Sequence, residues 1–282
     1  VLDTFAFHAA NLLVGNDETC AVLEITVMGP KLEIEKEMDI ALTGARMGIT
    51  LNDSPIEQWR SIRVMPGDIL TISMVQQGCR AYLAVSGGIK VPRIMGSYST
   101  YVGGKIGGFS GRPLRQGDLL ETHDARLLKT SRTLTSQYIP LYPSLAVIRA
   151  IPGPQDTYFD MDKTPLFGTD YMVTAKADRM GYRLQGNALP IRPDMPKSIV
   201  SEPAMPGSIQ IPPDEQPIIL LVEQTVGGYA KIATVISTDL ARVAQTTPGD
   251  TIQFEKVDLK TAHAIYAEDA RQLMKVRELF LP

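Results

Sequence analysis

Seven polar side chains that lie within a few residues of glycine or proline are the ones whose types and positions could do chemistry in this 282-residue chain. Glycine lets a backbone approach a ligand closely, and proline fixes the local chain direction. Arginine, lysine, glutamine and tyrosine donate hydrogen bonds that hold a carboxylate or a developing oxyanion, and aspartate can accept a proton. We predict catalytic roles for Asp178, Arg179 and Lys231, and substrate-binding roles for Arg112, Gln155, Gln210 and Tyr229.

Each of these residues also has a structural alternative. Arg112 could tie loop carbonyls together, and Lys231, which begins the apolar run KIATVI, could be a solvated residue that blocks a sheet edge. Arg179 belongs to an Arg-Met-Gly sequence that occurs in both halves, so it could brace a repeated unit, and Asp178 could pair with Arg183. The two glutamines follow Gly-Pro or Pro-Gly turns and could serve only those turns.

Histidine and cysteine chemistry is not indicated. His8 and His263 lie in predicted helices, His123 follows a predicted strand, and none neighbours a nucleophile in a recognisable catalytic pattern. Cys20 and Cys79 stand alone, without the spacing of a metal site, which is typical of reduced thiols in a cytoplasmic protein. The sequence therefore predicts no metal site.

The composition limits the classes of partner that the chain is expected to bind. The net charge is −3, with 44% hydrophobic and 21% charged residues, and acids and bases are interspersed. Nucleic acid and anionic membranes need a concentrated basic face, so neither is expected as a partner. No apolar run approaches the ~18–20 residues that span a bilayer. A soluble cytoplasmic protein is the expectation.

A glycine-rich loop, GGKIGGFSGRPLRQGDLL at residues 103–120, does not match a nucleotide-binding pattern. A P-loop requires Gly-Lys followed by Ser or Thr, whereas Lys105 is followed by Ile106. A dinucleotide fingerprint between a strand and a helix is also missing. We therefore expect turns at both ends of the loop, with Arg112 displayed between them.

Gly-Asp pairs indicate tight turns directly before strands. Glycine supplies the positive φ that such turns need, and aspartate can bond its own backbone. The pairs are Gly67-Asp68, Gly117-Asp118 and Gly249-Asp250.

Short runs rich in β-branched residues and bounded by glycine or proline predict a mainly β fold. The predicted strands are 20–28, 68–75, 80–89, 145–151, 208–211, 217–224 and 250–257, and the predicted helices are 3–14, 238–243 and 258–279.

Five landmarks recur in one order in the two halves of the chain, which suggests two copies of one β-rich unit. They lie at 29–30, 46–48, 66–69, 83–85 and 117–119, and again at 153–154, 179–181, 206–209, 220–222 and 248–252. A proline-punctuated stretch at 136–144 separates the copies. We predict a first unit at 1–140 and a second unit, with the C-terminal helix, at 141–282.

Several stretches are more particular than generic turns, and together they resemble one family. They are SGGIKVP, GSYST, GGFSGRPLRQGD, GPQ, DRMGYRL, SEPAMPGSIQIP, GGYAKIATVISTDL and QTTPGD. In this order they resemble the allophanate-hydrolase-subunit-2 family, also called the KipA or biotin-dependent carboxyltransferase family. The resemblance extends from FAFHAANLLVGN at 5–16 to Asp250.

This resemblance implies two related cyclophilin-like β-barrel units with a few peripheral helices. It implies the C subunit of an ATP-dependent 5-oxoprolinase, which works with two partners. One is the B subunit, an allophanate hydrolase subunit 1 or KipI-like protein, and the other is the A subunit. This chain is then expected to bind no cofactor itself, while the complex uses ATP. Family members usually carry a further segment before the position that corresponds to Val1.

The resulting expectation is an enzyme component that acts on a small amide or lactam, converting 5-oxoproline, ATP and water to glutamate, and inactive alone. One alternative is a regulatory KipA-type protein that binds a kinase inhibitor. Another is a carboxyltransferase component for urea-like substrates. Carboxybiotin would then arrive on another protein, because this chain has no biotinyl-lysine sequence.

Overall fold

The computed structural model describes residues 1–124, 126–223 and 226–280, and these form two compact units. The first unit holds Val1, Asp3–Leu141 and the described part of Gln272–Pro282, and the second holds Leu2 and Tyr142–Arg271. The boundary is one residue from the predicted division at 140/141. The end of the C-terminal helix lies in the first unit because Val276 is fully buried in a core cluster of that unit. Residue 224 of the predicted strand 217–224, and residues 281–282, lie outside the described residues.

The first unit is built on one antiparallel sheet of six strands. Its strands are β1 (Leu23–Thr26), β2 (Lys31–Glu33), β3 (Met38–Leu51), β4 (Ser54–Pro55), β5 (Ile62–Val64) and β6 (Ile69–Val85). The order is β1-β6-β3-β4, with β2 also paired to β6 and β5 to β3. The predicted strands 68–75 and 80–89 are one strand, β6, because Gln77 between them pairs with Arg46 of β3.

This sheet supplies both walls of its own apolar core. Ile40 and Leu42 of β3 pack in one cluster with Leu70 and Leu83 from opposite ends of β6. Register shifts between β3 and β6 near residues 44–49 are bulges, which bend strands and increase their twist. The sheet therefore curls around its core.

The other face of this sheet is covered by helix α1 (Thr4–Leu13). Asp3 caps the helix, since its Oδ1 accepts a hydrogen bond of 3.0 Å from the Ala6 amide. Tyr82 and Ala84 of β6 pack against the buried alanines of this helix. The helix predicted at 3–14 is present, with each end within one residue.

The second unit is a closed barrel of seven strands. They are β7 (Leu145–Pro152), β8 (Asp170–Ala177), β9 (Gly181–Gln185), β10 (Ser208–Ile211), β11 (Ile218–Leu220), β12 (Ala230–Val235) and β13 (Thr251–Lys256). The order is β10-β11-β9-β8-β13-β7-β12, with β12 returning to β10. Only the pairing of β7 with β13 is parallel in this described barrel.

The described helices number few, as predicted. They are α1, α2 (Leu240–Ala244) and α3 (Leu259–Glu278), with 3-10 turns at Ser136–Tyr138, Asp156–Tyr158 and Ser237–Asp239. Among the described residues, no helix combines the length and the apolarity that crossing a membrane requires.

The mainly β fold is confirmed. The barrel expected in each half is closed in the second unit. In the first unit, the strand order of the described residues does not return to its starting strand. The physical reason is that two long bulged strands, β3 and β6, carry most of the sheet and curl it without ring closure.

The three Gly-Asp turns are confirmed, and they share one geometry. In each, the aspartate amide donates to the carbonyl oxygen three residues earlier, and a carboxylate oxygen accepts a 2.7 Å hydrogen bond from that earlier residue's amide. The glycines have φ of +88°, +86° and +97°. A strand follows the first and third turns, but no described strand follows Gly117-Asp118.

Candidate functional site

A buried glutamine and a buried lysine are paired across two neighbouring strands of the barrel. Gln210 on β10 is in register with Lys231 on β12, beside a bulge between Ile209 and Gln210. Gln210 is 4% exposed and Lys231 is 5% exposed. The alternative that Lys231 is a solvated edge residue is wrong, because β12 has a partner on each side in the closed barrel.

The Lys231 ammonium group forms an ion pair with Glu202. Its Nζ donates to Oε1 of Glu202, whose side chain is 49% exposed, whereas the lysine side chain is 6% exposed. Glu202 is held in place because its backbone exchanges two hydrogen bonds, of 3.1 and 3.2 Å, with Gly227. The lysine side chain is therefore almost fully buried, and its ammonium group is paired with a half-exposed carboxylate.

Gln155 holds the backbone of Lys231 on both sides. The backbone amide of Gln155 donates to the Lys231 carbonyl at 3.2 Å, and the side-chain Oε1 of Gln155 accepts from the Lys231 backbone amide at 3.0 Å. Gly153 makes this approach possible, because a Cβ at that position would overlap the Lys231 carbonyl oxygen. The Gly-Pro-Gln sequence thus positions the lysine-bearing strand.

The side-chain amide of Gln210 is an unsatisfied donor. Its Nε2 is buried and has no hydrogen-bond partner among the described residues. A buried donor without a partner costs about 1–3 kcal/mol, so it calls for an acceptor. An ideal Cβ on Gly227 would lie 2.9 Å from this nitrogen, so that glycine leaves the amide its space. The amide is therefore an unpaired donor that is buried in this structure.

We call Gln155, Glu202, Gln210 and Lys231 the Lys231 cluster. Three of its members are predicted site residues. A fourth predicted residue, Tyr229, is 40% exposed and lies two positions before Lys231. Glu202 was missed, because an isolated glutamate in the SEPAMPG stretch has no sequence signal beyond its place in a family motif.

Asp178 and Arg179 lie in the turn between β8 and β9. Asp178 Oδ1 accepts from the amides of Met180 (2.8 Å) and Gly181 (3.2 Å), so this carboxylate shapes the turn. Arg179 Nε lies 2.5 Å from Oε1 of Glu223. The alternative pairing of Asp178 with Arg183 is wrong, because Arg183 pairs with Asp214.

Arg112 of the first unit is tied into its own loop. Its guanidinium makes two 2.7 Å hydrogen bonds to Asp118 and donates to the Pro113 carbonyl at 2.9 Å. It also lies 5.0 Å from the centre of the Phe109 ring. These hydrogen bonds lower the pKa of the Asp118 carboxyl to about 2. The geometry matches the structural alternative for Arg112, and its substrate-binding role stays a prediction.

The fold places the chain in the class of carboxyltransferase domains. The urea amidolyase of K. lactis has this architecture: its crystal structure covers 98% of this chain, and this chain covers 18% of it. The TM-score is 0.91 and the sequence identity is 32%. The chain belongs to the family described as carboxyltransferase domain, subdomain A and B, which matches residues 1–256.

Two relatives match over most of their own length, and both are C subunits of 5-oxoprolinase. The one from Haemophilus influenzae is 35% identical over 280 residues, which is 99% of this chain and 88% of that protein. The one from Escherichia coli is 38% identical over 264 residues, or 93% and 83%.

Proposed function

We propose that this chain is the C subunit of an ATP-dependent 5-oxoprolinase, which opens the lactam of 5-oxoproline with ATP and water to give glutamate. The observation that carries the proposal is the near full-length similarity to two 5-oxoprolinase C subunits. The similarity to urea amidolyase is lower in identity, at 32%, and spans a small part of a much longer protein.

The chemistry of a lactam suits the Lys231 cluster. Its carbonyl is stabilised by resonance with nitrogen, so opening the ring requires donors where negative charge develops on oxygen. In this proposal the Lys231 ammonium and Gln210 Nε2 are those donors. One preorganised donor of this kind is worth about 3–4 kcal/mol of barrier. Glu202 orients the ammonium, and Gln155 fixes the strand that carries it.

The turn residues have supporting roles in this proposal. Asp178, Arg179 and Arg112 already bind neighbouring groups, so we assign them to the shape of their turns. Tyr229 is exposed beside Lys231, which suits contact with a ligand or with another protein of the complex.

The proposal includes partners and a nucleotide. The A and B subunits complete the enzyme, ATP binds outside this chain, and the chain is inactive alone in the cytoplasm. Support comes from the relatives, whose name describes one component of a larger enzyme.

Reconstitution tests the function. The chain is mixed with purified A and B subunits, and ATP-dependent release of glutamate from 5-oxoproline is measured. Omitting the chain should abolish release, and Lys231→Met and Gln210→Leu should each reduce it by about a hundredfold or more. The matched control, Lys256→Met, changes an exposed lysine of β13 and should keep full activity. Undiminished glutamate release without this chain would refute the proposal.

Carboxyl transfer to a urea-like acceptor is a second candidate, favoured by the high TM-score to urea amidolyase. The same reconstituted mixture, supplied with a biotin carboxylase, a biotinylated carrier protein, bicarbonate and urea, distinguishes the two. Urea-dependent ATP hydrolysis without 5-oxoproline turnover would favour this second function.

A further inference from the structure

The glycine-rich loop of the first unit forms the wall of a pocket of about 330 Å³. The residues that matter for its chemistry are Lys90, Lys105, Gly107, Gly108, Ser110 and Gly111. Phe109 adds an apolar surface to the same wall. A pocket of this size holds a ligand as small as an amino acid.

The chain around this pocket is strongly positive. Residues 90–117 contain five lysines and arginines and no acidic residue, in a chain whose net charge is −3. Arg112 is neutralised by Asp118. The Lys90 ammonium lies 3.2 Å from a carboxylate oxygen of Glu121, and the side chains of Lys90 and Glu121 are both more than half exposed. Exposed pairs of this kind are weak.

Lys105 is the cation of the pocket that has no counter-ion. No carboxylate lies within 4.0 Å of its ammonium group among the described residues. A cation on a pocket wall, with a second lysine nearby, attracts an anion and can form a charge-assisted hydrogen bond with it.

The backbone of the loop is fixed in a strained form. Lys105 and Ser110 both have φ of +54°, which is unfavourable for residues with a side chain. A Cβ on Gly108 would overlap the Thr100 hydroxyl, so that position accepts only glycine. Strain that is maintained around a pocket is a reason to look for a ligand there.

Hydrogen bonds fix the conformation of the glycine-rich loop. Phe109 donates its amide to the Thr100 hydroxyl at 3.0 Å, and Gly111 donates to the Gly107 carbonyl at 2.8 Å. The paired Arg112 and Asp118 fix the end of the loop. The pocket is therefore formed before a ligand arrives, which lowers the entropic cost of binding.

We propose that this pocket binds a small organic carboxylate, with Lys105 as the main charge partner and Lys90 as the second. The choice of carboxylate rests on the proposed function, because both 5-oxoproline and glutamate carry one. The loop lacks the arrangement of a nucleotide phosphate site. An amino-acid-sized carboxylate fits both its volume and its charge.

Calorimetric titration of the full chain tests the site. The Lys231→Met protein is used, so that binding at the Lys231 cluster does not interfere, and the probes are 5-oxoproline, glutamate, inorganic phosphate and 2-pyrrolidinone. Pyrrolidinone is the same lactam ring without the carboxylate. We expect 5-oxoproline or glutamate to bind at least tenfold more tightly than pyrrolidinone, and the stronger of the two identifies the source of the carboxylate.

Charge variants locate the binding. Lys105→Gln should weaken the better probe by about tenfold or more, and Lys90→Gln by a smaller factor, since Lys90 is already paired. Lys129→Gln is the matched control, because it removes an exposed charge from the same unit outside the pocket. Circular dichroism checks that each variant is folded. Because these lysines are exposed, we expect their replacement to leave the fold intact.

Three results would overturn the site: equal binding of pyrrolidinone, binding of phosphate alone, or equal weakening by the Lys105 and Lys129 variants. The proposed function fails separately. An active complex whose chain binds no carboxylate through Lys105 overturns the site alone, whereas an inactive complex whose chain still binds in this way overturns the function alone.

Discussion

The ion pair of Lys231 and Glu202 should respond unequally to loss of its two members. Glu202→Gln leaves an ammonium on a side chain that is 6% exposed, whereas Lys231→Met leaves a carboxylate on a side chain that is 49% exposed and can be solvated. Breaking an exposed pair costs about 0.2–1 kcal/mol. Stranding one member of a fully buried pair costs about 3–5 kcal/mol.

Because only the lysine of this pair is buried, the cost of Glu202→Gln should lie between these limits. We expect it to lower the free energy of unfolding by about 2 kcal/mol. Lys231→Met should change stability by less than about 1 kcal/mol, because methionine keeps most of the apolar stem. The double variant should resemble Lys231→Met alone, because the glutamine then faces no buried charge.

Urea denaturation followed by circular dichroism measures these changes as shifts in midpoint at constant slope. Glu255→Gln is the control, since it changes an exposed glutamate of the same barrel. If Lys231→Met is more destabilising than Glu202→Gln, or if the two changes are additive in the double variant, the idea of a buried charge held by one half-exposed partner is refuted.

Three further predictions follow from close contacts and shifted pKa values. Gly153→Ala should destabilise the chain by about 2–3 kcal/mol in urea denaturation, because its Cβ would overlap the backbone oxygen of Lys231, which cannot rotate away. Hydrogen bonds to Arg112 lower the pKa of Asp118 to about 2. The stabilisation that this carboxylate gives its loop should therefore be present above the ordinary pKa of aspartate and lost as the pH falls towards 2. A carbon-13 NMR titration should show this pKa, and Arg112→Gln should raise it. Burial lowers the pKa of His8 despite nearby Glu18, so the unfolded chain takes up the proton first and stability should fall as the pH drops below 6.5; urea midpoints at about pH 7.5 and 5.5 should differ less in His8→Gln than in the wild type.

Each of these has a contrary outcome. A Gly153→Ala protein with an unchanged midpoint would mean that the Lys231 strand can shift at little cost. An Asp118 carboxyl that titrates at its ordinary pKa would mean that Arg112 does not hold it in solution. An acid-induced loss of stability that is unchanged in His8→Gln would assign the loss to other groups.

Local signals predicted the turns, the three helices and about half of the strands, whereas β2, β3, β4, β5, β8 and β9 were not predicted. A Gly-Asp pair specifies its own backbone geometry, and the apolar spacing of helix α1 places it within one residue of its observed ends. Strand β3 was missed because glycines and charged residues interrupt its apolar pattern. Gly78, with φ of +82°, falls between the strands predicted at 68–75 and 80–89 but lies within β6.

Long-range pairing could not be predicted from one sequence. Gln210 and Lys231 are candidates from their types, but their register depends on a bulge and on closure of the whole barrel. The parallel pairing of β7 with β13, the first and last barrel strands in the chain, has no local signal. Helix α3 was predicted, but the burial of Val276 in the first unit depends on contacts far away in the sequence.

The recurring landmarks and the candidate site have different roles in the chain. Gly67 and Gly207 follow proline in both halves, have φ of +88° and +92°, and precede a strand. Gly29 and Gly153 both lie so close to a neighbouring strand that a Cβ would overlap it.

The polar residues beside these landmarks differ between the halves. Gly153-Pro154 is followed by Gln155, which holds Lys231, whereas Gly29-Pro30 is followed by a lysine that begins β2. Arg46 and Arg179, which look equivalent in sequence, lie in the middle of a strand and in a turn. The repeated glycines therefore set the backbone in both units, and the groups suited to bind a substrate are those that only one half possesses.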